Sequence, residues 1–501
     1  MDIIIGLVVF LFAVALVGMV VLTVIFPYLS KPKQTRQPLD KTPPLPTPRQ
    51  IETLQTGNFA LVGTVRDAKV LTPCILTENV RTLNTLNIGP IGVGKTRYML
   101  SAFVEKDIAT PGNAVVIYDP QRDLTSEIVS LCLSYGRKYT IFPDVGFNPL
   151  AGSGSTENRA RLFADLYGQI SRSGQQGGGV FFSELVQTFI LLIIPLFEAA
   201  YQKPMTLQEL LLVAVHEGFR QRLIQDAPAG NEKMEYLYAF DPNLWKAKKF
   251  EENLTGIRIF IQRIYAAQDG LKNLLNTRNA PTLEECIEQM QVIIIRAGGY
   301  PNTVGAALGQ LFQVSLQSYI ERRDIDVSHH FISIFMDELP MYLNDNFKTL
   351  VSTSRKQRVS LFMGFQQIKQ LYPYEDVITG NTKTWFVHNG LGGEETKYIA
   401  ETIGEREYMV FSSSIPRDVR QSPSDTLSPS FGHTLTPSEI RNIPQEQVLV
   451  LSVKPLKDRE VDHPRFLIKP SLNDLKAAIA QSPYKYVPPV VSPYPPAHIW
   501  T

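Results

Sequence analysis

A chain of 501 residues is too long for one ordinary domain, and its 44% hydrophobic and 19% charged content suits a globular protein with a sizeable core. A formal net charge of +1, from 49 basic and 48 acidic residues, excludes a globally basic nucleic-acid binder, so any basic surface is local or assembled by oligomerisation. Cys74, Cys132 and Cys286 are scattered, with no CxxC pair or nearby His cluster, which excludes a disulfide framework or a cysteine-based metal site.

Ile3 to Phe26 is almost unbroken apolar sequence, long enough to cross a bilayer. A cleaved signal peptide fits it poorly. Asp2 stands where a basic n-region belongs, the run is too long, and no small-x-small cleavage site follows convincingly. Lys31, Lys33 and Arg36 flank its C-terminal end, so the positive-inside rule predicts a single-pass anchor in the inner or cell membrane, with the bulk of the protein cytoplasmic. Residues 1–30 are therefore read as the anchor and 31–50 as a proline-rich, mostly extended linker.

Residues 51–155 are expected to form the first part of an α/β nucleotide-binding domain. Thr82–Ile88 leads into a glycine loop, Arg97–Lys106 looks helical, and Ala114–Tyr118 and Lys138–Phe142 look like buried strands. Residues 156–288 change character, with long apolar-periodic stretches and few strand signals, and are predicted to be an inserted all-α domain. Within it Phe189–Phe197 is apolar but too short to span a membrane, and contains Pro195; a core helix is expected. Residues 289–475 return to the α/β pattern, with strands at Gln291–Ile295, Phe331–Met336, Val359–Phe365, Lys383–His388 and Gln447–Val453, and a helix at Thr303–Arg322. Alternating strands and helices predict a mostly parallel sheet covered on both faces. Residues 476–501 form a proline-rich tail, disordered or a ligand for a groove that reads polyproline helices.

Gly89-x-x-Gly92-x-Gly94-Lys95-Thr96 is a complete Walker A loop. The glycines let successive N–H groups curl around phosphate oxygens, Lys95 neutralises the β- and γ-phosphates, and Thr96 offers its hydroxyl to Mg²⁺; ATP and Mg²⁺ are the expected cofactors. An acidic partner should end an apolar strand, and Asp337-Glu338 follows Ile332–Met336. Asp337 is assigned to the Mg²⁺ shell and Glu338 to polarising the attacking water, although such a pair is by itself often a helix cap. Gln366 ends the strand Val359–Phe365 and is either a γ-phosphate sensor or a solvated strand end. Arg355, in a basic cluster with Lys356 and Arg358, is an arginine finger for a neighbouring subunit, a DNA contact or a surface residue.

Several stretches resemble the type IV secretion coupling proteins, the TraG/TraD class of conjugation ATPases. They are Val115–Leu124, Tyr135–Lys138, Asn148–Leu150, Glu338–Pro340, Leu350–Lys356, Gly364–Tyr372, Ile378–Thr382, Phe386–Gly390, Glu394–Gly404 and Leu435–Pro444, in family order. The resemblance implies a RecA-like P-loop motor related to HerA and FtsK, an inserted all-α domain and an N-terminal membrane anchor. It further implies homo-hexamers around a channel, hydrolysis stimulated by single- or double-stranded DNA, and handover of a relaxase–DNA or effector substrate to secretion-channel components. On that pattern Lys95, Glu338, Arg355 and Gln366 are catalytic and Thr96 and Asp337 hold the metal. Two departures stand out. The family commonly has two spans where one is found here, and Asp119-Pro120-Gln121-Arg122 replaces the frequent Asp-Pro-Lys-Gly. The rival readings are a HerA/FtsK-like DNA translocase, a secretion-assembly ATPase, and a non-enzymatic docking platform whose assembly follows nucleotide.

Overall fold

The structure, a computed structural model, describes residues 60–67, 70–152, 154–173, 180–240, 247–266, 271–296, 303–324, 329–414, 424–452 and 465–487. The expected anchor and linker, and the tail beyond residue 487, lie outside the described residues.

The strands are β1 (Ala60–Asp67), β2 (Val70–Leu76), β3 (Thr85–Ile88), β4 (Ala114–Tyr118), β5 (Tyr139–Phe142), β6 (Val292–Ile295), β7 (Ile332–Met336), β8 (Val359–Phe365), β9 (Thr384–Val387), β10 (Glu405–Ser414), β11 (Ser424–His433), β12 (Gln447–Ser452) and β13 (Arg465–Ile468). Eleven of them form one sheet in the order β2-β1-β13-β12-β9-β3-β8-β7-β4-β6-β5, and β10 and β11 pair separately. From β9 to β5 every pairing is parallel. The central strands β4, β7 and β8 are buried along their whole length, as a strand covered by helices on both faces must be.

The sheet departs from the expected pattern at one edge. β12 runs antiparallel to β9 and β13, and β13 and β2 both run antiparallel to β1. The Gln447–Val453 strand therefore does not close a parallel sheet; it starts an antiparallel extension. β1, β2 and β13 escaped sequence reading because none is a continuous apolar run. β2 carries Pro73, which an edge strand paired on one side tolerates.

Every described element from Thr156 to Glu288 is helical. The apolar helix there, Val180–Tyr201, is longer than the predicted run and continues through Pro195. It is long and apolar enough to cross a membrane, with mean hydropathy 1.6 over Glu184–Tyr201, and 44% of that window is buried inside the protein. Phe189 packs edge-on against Tyr236, Phe240 and Phe250 of neighbouring segments, as a core helix does.

The helical run after the glycine loop, Lys95–Met99, passes through a π turn at Leu100–Val104 into Glu105–Ala109. Its apolar face lies on the sheet, with Tyr98 against Phe386 and Phe103 against Phe362 at ring distances of 5.1 and 4.8 Å. At its far end Asp107 receives Arg81 in a bidentate ion pair of 2.8 and 2.5 Å, both residues about 1% exposed. Arg81 lies just before β3, so this pair ties the helix end to the root of the strand that begins the loop. Losing either partner strands a buried charge at a cost of about 3–5 kcal/mol.

Candidate nucleotide site

The loop leaves β3 at Ile88 and enters the helix at Lys95. Gly92 and Gly94 adopt φ values of +83° and +85°, and an added Cβ would meet nothing at either. These positions need glycine for conformation, since left-handed backbone is costly for other residues. Gly89 needs it for space, because a Cβ there would lie 2.8 Å from that of His388.

Lys95 is buried and its Nζ donates to the Pro90 carbonyl at 2.9 Å. Burial lowers its pKa, against the fields of Asp337 and Glu338, which favour the charged form. Thr96 Oγ1 donates to Asp337 Oδ2. β7 and the loop thus bring together the two residues assigned to Mg²⁺. Asp337 Oδ1 is buried and has no hydrogen-bond partner among the described residues. Desolvation raises the Asp337 pKa, and the Thr96 hydroxyl and Lys95 only partly offset it. A buried carboxylate oxygen with no donor suits a cation.

Glu338 is half-buried, and burial also raises its pKa. Gln366 Nε2, at the end of β8, donates to Glu338 at 3.3 Å. The β7–β8 junction is tight. A Cβ on Gly364 would lie 2.6 Å from the Asp337 carbonyl, so glycine lets the sensor strand approach the acidic pair. Walker A, Asp337-Glu338 and Gln366 therefore converge at the carboxyl ends of the parallel strands, where open α/β sheets bind ligands.

Arg355 lies elsewhere. It is exposed, in the turn Ser354–Gln357 before β8, whereas Gln366 follows that strand. Seven strand residues separate the two by roughly 20 Å, so Arg355 does not reach its own Lys95.

Four residues at this edge were not singled out from sequence as site groups. Asp119 ends β4, accepts from the Thr125 N–H and hydroxyl at 2.9 and 2.6 Å, and adds negative field at Asp337. Asn87 donates to the Lys95 carbonyl at 3.4 Å and meets His388 Nε2 at 2.8 Å, both side chains fully buried. Burial holds the His388 pKa well below its ordinary value, so the ring is neutral. Lys469 Nζ donates to the Val93 carbonyl at 3.2 Å. A polar residue inside or ending an apolar strand was the available sign for Asn87 and His388; Lys469 had none. Arg122, in the stretch that replaces the family's Asp-Pro-Lys-Gly, is half-buried with a left-handed φ of +62°.

Residues 332–445 match the family model described as the TraM recognition site of TraD and TraG. That segment contains Asp337, Glu338, Arg355 and Gln366. No curated protein matches the chain. Among solved structures, the unbound bacterial conjugative coupling protein TrwB, lacking its first 70 residues, aligns with TM-score 0.55 and 15% identity over 79% of this chain and 86% of its own. TrwB with the ATP analogue ADPNP aligns with TM-score 0.55 and 16% identity over 81% and 89%. The complex with ADP and Mg²⁺ gives 0.54 and 16% over the same shares. Residues 332–445 thus match a segment described for TraD and TraG, and the fold is like that of TrwB. At such identity the structural likeness speaks for the fold alone.

Proposed function

We propose that this protein is a membrane-anchored motor ATPase that couples ATP hydrolysis to recruitment and translocation of relaxase–DNA or protein substrates through a type IV secretion or conjugation system. The observation that carries the reading is the junction of Thr96 with Asp337, whose second oxygen is buried with no donor among the described residues. It is joined by Glu338 under Gln366. TrwB has been obtained with ADP and Mg²⁺ on the same fold, which supports the same ligands here. When bound, the nucleotide and Mg²⁺ supply the transferable phosphoryl group and the charge that stabilises its displacement.

The chain's own residues divide the remaining work. The N–H groups of residues 92–96 and the Lys95 ammonium hold the phosphates, while Thr96 and Asp337 hold the cation. Glu338 orients water and accepts its proton; its raised pKa brings that carboxylate nearer to neutral pH as a base. Gln366, resting on Glu338, couples its position to β8. Arg355 acts on the site of a neighbouring subunit, in a ring of six. The match to a TraM recognition site makes a relaxosome component the expected partner of residues 332–445. A single-pass anchor with a cytoplasmic motor completes the reading.

The test is ATP hydrolysis by the full-length protein in detergent, with and without single- and double-stranded DNA, over a range of salt. Turnover is expected to rise with DNA, and Glu338→Gln to retain ATP while losing turnover. Absence of hydrolysis in the wild type, or no response to DNA at any salt, would remove the motor reading.

A further inference from the structure

Lys469 follows β13, in the antiparallel extension and outside the residues of the coupling-protein segment. Its Nζ bridges two carbonyls, Val93 at 3.2 Å and Gln445 at 2.8 Å, and its own N–H donates to Glu446. It is half-buried, and desolvation lowers its pKa against the weaker opposing field of Glu446. The ammonium thus gives up water to hold one particular carbonyl of the phosphate loop.

That carbonyl matters because of the peptide plane it belongs to. Val93 C=O and Gly94 N–H are parts of one trans unit, so they point in opposite directions. The unit lies between the Cα atoms of Val93 and Gly94, and a Cβ added at Gly94 would meet nothing. Glycine tolerates either sign of φ, so Gly94 leaves this plane free to turn over unless something holds it. A cation on the carbonyl fixes the plane with the Gly94 N–H facing away from Lys469. It also polarises the unit, which strengthens that N–H as a donor.

We propose that Lys469 is a positioning residue of the nucleotide site, holding the Val93 carbonyl outward and aiming the Gly94 N–H at the bound phosphate. This rests on the phosphate-loop reading of Gly89 to Thr96. The ligand class is a nucleoside di- or triphosphate. Because the loop's N–H groups serve both, ADP and ATP are affected alike, whereas a residue reading the γ-phosphate would affect ATP alone.

The experiment titrates Mg²⁺-ATP and Mg²⁺-ADP calorimetrically into full-length wild type, Lys469→Met, Lys469→Arg and Lys95→Ala, with melting of each ligand-free protein alongside. Lys469→Met keeps the apolar stem and removes the charge-assisted bond, so Kd for both nucleotides is expected to rise about tenfold. KM for ATP should rise with kcat unchanged, since the contact serves ground and transition states equally. Lys469→Arg should recover most of the affinity. An unchanged Kd in Lys469→Met beside lost binding in Lys95→Ala overturns the inference and leaves the phosphate loop standing. A Kd change in Lys469→Met tracked by an equal one in Lys469→Arg and by a lower ligand-free Tm assigns Lys469 to folding and overturns it as well. Wild-type binding by Lys95→Ala removes the phosphate-loop reading and this inference with it. Where Lys469→Met does not fold, Lys469→Gln against Lys469→Arg gives the same comparison.

Discussion

Asp337→Asn should make the protein more stable without ligand and unable to use Mg²⁺. Asp337 holds one oxygen against Thr96 and leaves the other buried with no donor among the described residues. A buried group without its partner costs about 1–3 kcal/mol and more when it is charged, and the amide keeps the polar atoms without the charge. Some of that is recovered in the wild type through Thr96 and the field of Lys95, so we take the lower end, about 1 kcal/mol net. For a domain of this size that corresponds to about 2–4 °C in Tm. The sign with pH follows from the raised pKa of folded Asp337. Below its ordinary value of 3.8 the side chain is protonated in folded and unfolded states alike, and the variant gains nothing. As pH rises from that value through the folded pKa, the wild type loses stability relative to the variant, and the gap then stays level. The assay is thermal melting of both full-length proteins from pH 4 to 8, with and without Mg²⁺-ATP. Asp337→Asn should melt higher at neutral pH and gain little from Mg²⁺-ATP. A variant that melts below wild type at pH 7 refutes the strained-carboxylate argument. One that gains as much as wild type from Mg²⁺-ATP removes Asp337 from the cation.

Gly364→Ala pushes a methyl group to 2.6 Å from the Asp337 carbonyl, so β7 and β8 must separate. A loss of about 1–3 kcal/mol is expected in denaturant titration, with hydrolysis falling alongside; full activity would show that this junction does not position the acidic pair. Gln366→Ala removes the 3.3 Å contact on Glu338 and should lower kcat about tenfold or more with Kd for ATP unchanged, whereas a change confined to Kd would place Gln366 in binding. Arg355→Ala and Lys95→Ala subunits, each inactive alone, should recover some turnover when mixed into common rings; mixtures no better than their components leave Arg355 a surface arginine.

The parts of the site that sequence disclosed share one property: each is encoded by a local run. A glycine loop after a strand, or an acidic pair after Ile332–Met336, carries its own context within a dozen residues, and so does the buried strand Ala114–Tyr118. The antiparallel edge has no such run. β1 and β13 hold their places by pairing Thr64 with Ile468, some four hundred residues apart, in strands without continuous apolar sequence. Asn87, His388 and Lys469 belong to that second kind of information. Parallel register sets Ile88 beside Val387, which brings His388 to the back of the loop, and β13 returns Lys469 to Val93 from the far end of the chain. Arg355 shows the opposite limit. Its motif context was legible, but β8 separates it from its own phosphate loop by the strand's full length. If it acts on a phosphate, the geometry requires that the phosphate be held by another subunit, so mixing mutant subunits tests ring assembly and the finger in one measurement.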